Sequence, residues 1–308
     1  MKAFLKWLRL NPRQLINWLL VALSLSLLPT ALRPLSFVRA IDYVLPGAND
    51  YPVNVSGVSA PNLSAQSAIV VDVGSKTIMM AKNPDLELLP ASTTKIMTGL
   101  IALEAYRLDE VLTASVSAEG QVLGLKLGEK MTVENLLYGM LVASGNDAAQ
   151  VLADNYPGGA KAFVAAMNQK AKALGLKDTQ FTNPTGLDEA GHHTSVHDLS
   201  LLSATAMTNP VFTKIVATPK ISVTDITGEK EYELLTINDL LGQVEGLVGV
   251  KTGWTELAGE CLVTYVKRGE RAIITVVLGS NDRFGESKTL IDWAFANFNW
   301  EGVAGATQ

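Results

Sequence analysis

Hydrophobic and polar positions change rhythm several times along this chain. An apolar run at residues 15–28, broken only by Asn17, Ser24 and Ser26, comes first. Residues 41–66, punctuated by Pro46, Gly47, Asn49, Asp50, Pro52, Asn54, Gly57 and Pro61, read as a linker. Residues 67–73 alternate weakly and are rich in Val and Ile. Gly74-Ser75-Lys76 is a turn and 77–80 continue, which predicts a β-hairpin. From Pro90 the period lengthens to that of a helix. The pattern predicts a helix opening at Pro90-Ala91-Ser92 and running to about Ala105. Further helices are expected over 132–141 (capped by Thr132), 146–155, 160–174 and 195–208. Strand patterning returns at 221–224, 248–254, 261–267 and 272–278, the last two flanking the turn Arg268-Gly269-Glu270. A helix over 284–298 closes the chain's periodic part. This order predicts an α/β fold: an antiparallel sheet built from both ends of the chain, flanked by helices, with an all-helical lobe inserted. A cleft between sheet and lobe is a natural place for a site.

Composition narrows the class. The 308 residues are 48% hydrophobic and 18% charged, enough to bury a large core and too apolar for disorder. Cys261 is the single cysteine, which excludes an intramolecular disulfide and a cysteine-built metal site. The net charge of −5 hides an asymmetry. Residues 1–40 hold six basic side chains and no acidic one, so the remaining 19 basic against 30 acidic side chains leave the body at −11. Such a body has no basic face for nucleic acid.

The basic N-terminal segment is instead a targeting element. Four basic residues precede the apolar run, and Pro29 and Pro34 follow it. It reads equally as a cleaved signal peptide, with Val38-Arg39-Ala40 as a cleavage site, or as an uncleaved anchor in the cytoplasmic membrane if extended to Leu32. Both place the body outside the cytoplasm, with the basic flank inside. The expected division is 1–40 signal peptide or anchor, 41–65 linker, 66–299 the folded domain and 300–308 a tail.

Three short motifs carry candidate chemistry. In Ser92-Thr93-Thr94-Lys95 the two end residues lie three apart, so on a helix the Lys95 amine reaches the Ser92 hydroxyl. A serine needs a neighbouring base to become a nucleophile, and a lysine serves only when neutral. Burial and a second cation both lower its pKa. Ser144-Gly145-Asn146-Asp147 offers a second hydroxyl and a carboxamide between two helices. Lys251-Thr252-Gly253 ends a strand, where a cation and a hydroxyl suit a carboxylate and glycine admits a backbone close by. Taken singly, each has an ordinary alternative: a capping serine, a helix-capping loop and a strand end.

Their order is the pattern of β-lactamases and penicillin-binding proteins. Over residues 65–298 the chain resembles the serine-type D-alanyl-D-alanine carboxypeptidase family, the low-molecular-weight penicillin-binding proteins, which share the β-lactamase/transpeptidase-like fold. Further support comes from Leu127-Gly128-Glu129, Leu136-Leu137-Tyr138-Gly139, Asn183-Pro184-Thr185-Gly186-Leu187 and Gly249-Val250-Lys251-Thr252-Gly253. The resemblance implies that Ser92 is acylated, Lys95 is the general base and Ser144 passes a proton to the leaving amine. It implies that Asn146 binds the acyl-side peptide and that Lys251 and Thr252 receive the terminal carboxylate, with Gly253 letting the substrate backbone lie close against the strand and Trp254 beside it. The backbone N–H groups of Ser92 and Trp254 would form the oxyanion hole. Peptidoglycan stem peptides are the implied substrate, β-lactam antibiotics the implied covalent inhibitors, and no metal or cofactor is implied. The family often carries histidine after Lys-Thr-Gly; Trp254 stands there in this chain.

D,D-carboxypeptidase is the expected activity, on the argument that Trp254 narrows the leaving-group pocket. The alternatives are a D,D-endopeptidase cutting cross-links, a β-lactamase, which would need a water-activating carboxylate such as Glu189, and a non-catalytic wall-binding relative. His193 and His197, with Asp198, have the spacing of a zinc site but lack a His-Glu-x-x-His signature, so a solvated helix start is expected there. Arg283 is expected either to bind substrate or to brace the cleft.

Overall fold

The structure is a computed structural model, describing residues 16–17, 50–115 and 118–302. The expected export segment lies outside the described residues except for Ile16 and Asn17, which are helical. Among the described residues no helix is long and apolar enough to cross a membrane.

The body, Ala48–Gln308, is organised on a five-stranded antiparallel sheet. In chain order the strands are β1 (Tyr51–Asn54), β2 (Ser67–Asp72), β3 (Ile78–Lys82), β4 (Val111–Thr113), β5 (Lys130–Thr132), β6 (Lys220–Thr224), β7 (Glu231–Leu235), β8 (Leu247–Thr255), β9 (Gly259–Arg268), β10 (Arg271–Ser280) and β11 (Phe298–Glu301). The main sheet runs β3-β2-β10-β9-β8. β2 pairs with β10 from Ser67↔Leu278 to Asp72↔Ile273, so the start and end of the domain share its centre.

Side-chain alternation explains why these strands read as nearly continuous apolar runs. Ala68, Val70, Leu262, Val266, Ile273 and Val277 face one core; Ile69, Val263, Ile274, Val276 and Leu278 face another. A sheet covered on both faces has no polar side to show. One face is covered by α7 (Arg283–Asn297), whose Leu290, Ile291 and Ala294 are fully buried. Trp293 and Phe298 pack there, edge to face at 5.0 Å.

The opposite face carries the helical lobe: α1 (Lys95–Ala105), α2 (Val133–Leu141), α3 (Asn146–Asp154), α4 (Gly159–Ala173), α5 (Val196–Ala206) and α6 (Pro210–Val216). Thr132 caps α2 as expected, its hydroxyl accepting from the Asn135 N–H at 3.2 Å.

The structure departs from the sequence expectation in four places. The helix expected to open at Ser92 is a 3-10 turn over Ala91–Thr94, and α1 proper starts at Lys95. Ala91 has φ +48, which does not continue into a regular helix. The last helix stops at Asn297, and β11 then pairs with β1, so a strand inside the expected linker closes on one that reaches into the expected tail. The three-residue pair β4–β5 is too short to carry a period of its own, whereas β7, Glu-Tyr-Glu-Leu-Leu, alternates between exposed and covered positions and was readable as a strand. Helix α6 had readable signals, Asn209 as cap and Pro210 at its first position, that the pattern reading passed over.

Candidate active site

The three motifs meet between the sheet and the helical lobe. The 3-10 turn presents Ser92, the loop between α2 and α3 presents Ser144 and Asn146, and β8 presents Lys251, Thr252 and Gly253. All of these except the buried Lys251 line a cleft of about 730 Å³, together with Glu119, Gly120, Gln121 and the 185–188 turn.

Close packing brings the turn to the strand. A Cβ at Gly253 would lie 3.0 Å from Ser92 N and 3.0 Å from Ala91 Cβ. Glycine at this position therefore lets β8 press against the Ala91–Ser92 peptide. On the other side Gly186, at φ +86, faces the Ala91 carbonyl so closely that a Cβ would lie 1.9 Å from its oxygen. The Ala91–Ser92 peptide is thus held between two residues without side chains.

Lys95 is fully buried at the start of α1. Its Nζ lies 2.8 Å from Ser92 Oγ, 2.6 Å from Asn146 Oδ1 and 2.6 Å from the Thr185 carbonyl oxygen. Burial first, and the Lys251 cation second, drive its pKa well below the usual lysine value, while Asp147 opposes them. Lys251, 2% exposed, donates to Ser144 Oγ at 2.9 Å and to the Thr252 carbonyl at 2.9 Å. Burial, aided by Arg283, lowers its pKa to about 7. Ser144 itself sits at φ +61, a conformation L-residues seldom adopt, on the sharp loop into α3.

The Thr252 hydroxyl is buried in the cleft wall with no hydrogen-bond partner. Such a group costs free energy until something fills its bonding capacity, and a carboxylate oxygen is a fitting acceptor. Arg283 braces the cleft: Nη1 donates to the Gly253 carbonyl at 3.0 Å, and Nε is buried and unpartnered. Trp254 projects from the rim, 61% exposed.

Asn146 is more committed than its motif suggested. Oδ1 accepts from Lys95, and Nδ2 donates to the Glu119 carbonyl at 2.6 Å. One Nδ2 hydrogen and one Oδ1 lone pair remain for a peptide.

Several contributors escaped the motif reading. The Asp147 carboxylate, 2% exposed, accepts from the backbone N–H groups of Leu123, Gly124, Leu125 and Ala148 at 2.8–3.0 Å. It pins the segment beside the cleft's 119–121 wall. Thr185 contributes its carbonyl, which no side-chain motif displays.

The histidines go separate ways. His192 is buried, and burial lowers its pKa to about 4. Its Nδ1 accepts from the Thr182 N–H at 3.0 Å, so Nε2 carries the proton and donates to Thr94 Oγ1 at 2.9 Å. His193 faces Glu87 and His197 faces Asp85, while Asp198 accepts from Asp178 N and Thr179 Oγ1. Glu189 is bound by Asn183 Nδ2 at 3.1 Å and lines a neighbouring hollow rather than the cleft around Ser92.

A serine hydroxyl beside a buried amine, with the unpartnered Thr252 hydroxyl in the cleft wall, set between sheet and helical lobe, is the kind of arrangement that active-serine acyl-transfer proteins use. A sequence profile of the family described as D-alanyl-D-alanine carboxypeptidase matches residues 54–282, and this chain belongs to that family. Among its relatives, a D-alanyl-D-alanine carboxypeptidase of Bacillus subtilis is 36% identical over 245 residues, covering 76% of this chain. The chain spans 63% of that relative's length. A carboxypeptidase of Mycobacterium tuberculosis is 35% identical over 250 residues, covering 78% of this chain and 85% of the relative. A protein of Pseudomonas aeruginosa named D-alanyl-D-alanine endopeptidase is 33% identical over 240 residues, covering 75% and 77%. The crystal structure of a Streptomyces DD-transpeptidase superposes with a TM-score of 0.74 at 31% identity, covering 78% of this chain and all of that one.

Proposed function

We propose that this chain is an exported serine D,D-carboxypeptidase that removes the terminal D-alanine of peptidoglycan stem peptides. The observation that carries this reading is the fully buried Lys95 amine, 2.8 Å from the Ser92 hydroxyl, with its pKa driven down. Neutral Lys95 takes the Ser92 proton as Oγ attacks the carbonyl of the penultimate residue. The peptide N–H groups of Ser92 and Trp254 receive the oxyanion. The C–N bond breaks, Ser144 gives its hydroxyl proton to the departing amine and is resupplied with the proton that Lys95 took, and D-alanine leaves with Lys95 neutral again. Water then attacks the ester and regenerates Ser92. Lys251 and Thr252 hold the substrate's terminal carboxylate, Gly253 lets the substrate backbone lie close to β8, and Asn146 holds the acyl-side peptide. A β-lactam enters the same path and stays as a slowly hydrolysed ester.

The body works outside the cytoplasm, delivered by the basic, apolar N-terminal segment. The endopeptidase reading draws support from the Pseudomonas relative. The carboxypeptidase reading draws it from the matched family profile and from Trp254 at the cleft rim.

Incubation of residues 50–308 with a fluorescent penicillin tests the nucleophile: covalent labelling is expected, and its persistence in Ser92→Ala would overturn the assignment. Parallel digestion of monomeric pentapeptide and cross-linked dimer separates the two activities. Free D-alanine from the pentapeptide should appear first; dimer cleavage with untouched pentapeptide makes the enzyme an endopeptidase.

A further inference from the structure

The geometry points to the 183–187 turn as a positioning element for the base, with Asn183 and Thr98 as its two tethers. The inference rests on the general-base role of Lys95 proposed above.

A neutral primary amine has two N–H bonds and one lone pair. Three oxygens surround Lys95 Nζ, and which of them faces the lone pair decides whether the amine can act as a base. Asn146 Oδ1 and the Thr185 carbonyl, both at 2.6 Å, are acceptors with no proton to give. They take the two N–H bonds. The lone pair is left for Ser92, whose O–H, at 2.8 Å, is the donor among the three. Remove the Thr185 carbonyl and the amine rotates freely about its remaining partner, so the lone pair points at Ser92 only part of the time.

The Thr185 carbonyl is backbone, so its aim depends on the shape of the turn. Asn183 builds that shape from inside: Oδ1 accepts from Thr185 N (3.2 Å), Thr185 Oγ1 (3.0 Å) and Gly186 N (2.8 Å), and Nδ2 donates to the Leu187 carbonyl (3.0 Å). Thr98, one turn after Lys95 on α1 and fully buried, fastens the turn from outside by donating to the Pro184 carbonyl at 2.7 Å. The same turn seats Gly186 against the Ala91 carbonyl. The turn thus joins the base to the peptide that carries Ser92. Neither Asn183 nor Thr98 touches a reacting atom; both act through Thr185.

The test is β-lactam acylation of residues 50–308, followed to saturation so that the limiting acylation rate and the half-saturation concentration are separated. Asn183→Ala should lower the limiting rate about tenfold to hundredfold, within the range a positioned base supplies, and leave half-saturation within about twofold. Thr98→Val keeps shape and apolar packing but frees the Pro184 carbonyl, and it should lower the limiting rate at least about threefold, again without moving half-saturation. Asn168→Ala is the control: it removes bonds to Phe181 N and O without touching the 183–187 turn, so it should lower the melting temperature and spare the limiting rate.

A folded Asn183→Ala with the wild-type limiting rate overturns the inference. If that variant does not fold, Thr98→Val decides: an unchanged limiting rate, or a change confined to half-saturation, overturns it too. A wild-type chain that β-lactams do not acylate at Ser92 overturns the functional reading and this inference with it. Wild-type acylation with unaffected variants removes this inference alone.

Discussion

Lys95 and Lys251 are buried, and their hydrogen-bond partners are neutral oxygens. Because neither is bonded to a carboxylate, desolvation dominates and both pKa values fall. The two residues need opposite protonation states for their proposed work. Lys95 must be neutral to take a proton, and Lys251 must be charged to hold a carboxylate. For a pentapeptide substrate kcat/KM should therefore rise with pH as Lys95 loses its proton, and fall as pH passes the Lys251 value of about 7. Lys251→Ala should remove the alkaline limb and lower kcat/KM on the order of a hundredfold. A profile whose alkaline limb survives in that variant assigns the limb elsewhere. Lys95→Arg tests the acid limb. A guanidinium cannot be neutral in a protein, so acylation should fall at least about a hundredfold at every pH. An active Lys95→Arg enzyme would refute the base role.

Among the elements, the β1–β11 ribbon shows how short strands acquire a structure from their neighbours. Four residues from near each end of the body pair as Tyr51↔Glu301 to Asn54↔Phe298. The ribbon is fastened to the sheet by Trp300, whose Nε1 donates to the buried Asp72 Oδ1 at 2.7 Å. A ladder of rings and cations continues the contact: Arg271 lies 5.0 Å over Trp300, Trp300 stacks on Phe295 at 5.8 Å, and Arg268 lies 4.3 Å over Phe295. Trp300→Phe keeps most of the apolar area but strips Asp72 of one partner in a buried setting. It should cost about 1–3 kcal/mol in urea unfolding. Trp300 sits beside Arg271 at one end of β10, and the cleft lies beyond the other end, roughly 30 Å away at about 3.3 Å per residue. The penicillin acylation rate should consequently stay within about twofold of wild type. A slowed but equally stable variant would contradict this account.

At the scale of the whole molecule, the sheet joins the two chain ends and the lobe fills the middle, so the cleft gathers residues from 92 to 283 in one place. The proposed action on wall peptides requires that this body lie outside the cytoplasm. The full chain should fractionate with the cytoplasmic membrane or appear outside it, and residues 41–308 expressed without residues 1–40 should stay where they are made. N-terminal sequencing of the exported form decides between anchor and cleaved signal: a start near Ile41 means cleavage. Full-length chain recovered intact in the cytosol would contradict export.

Much of this protein was written in local pattern. The order of elements, the Thr132 cap, the apolar runs of β2, β9 and β10 and the pairing of Ser92 with Lys95 depend on neighbours three or four residues away or on the composition of a single strand. Side-chain motifs were legible for the same reason: Ser92, Ser144 and Lys251 carry their chemistry in their own atoms. Tertiary structure decided what depends on contact between distant segments. The Thr185 carbonyl could not be told from any other carbonyl until folding brought it to Lys95, 90 residues away in sequence. Asp147 could not be told from any other carboxylate at a helix start until folding brought it the N–H groups of Leu123, Gly124 and Leu125. The need for glycine at 186 comes from the Ala91 oxygen, and β1 and β11 are too short to be strands without each other. Backbone groups and short segments have no side-chain signature of function, so only their three-dimensional neighbours give them one.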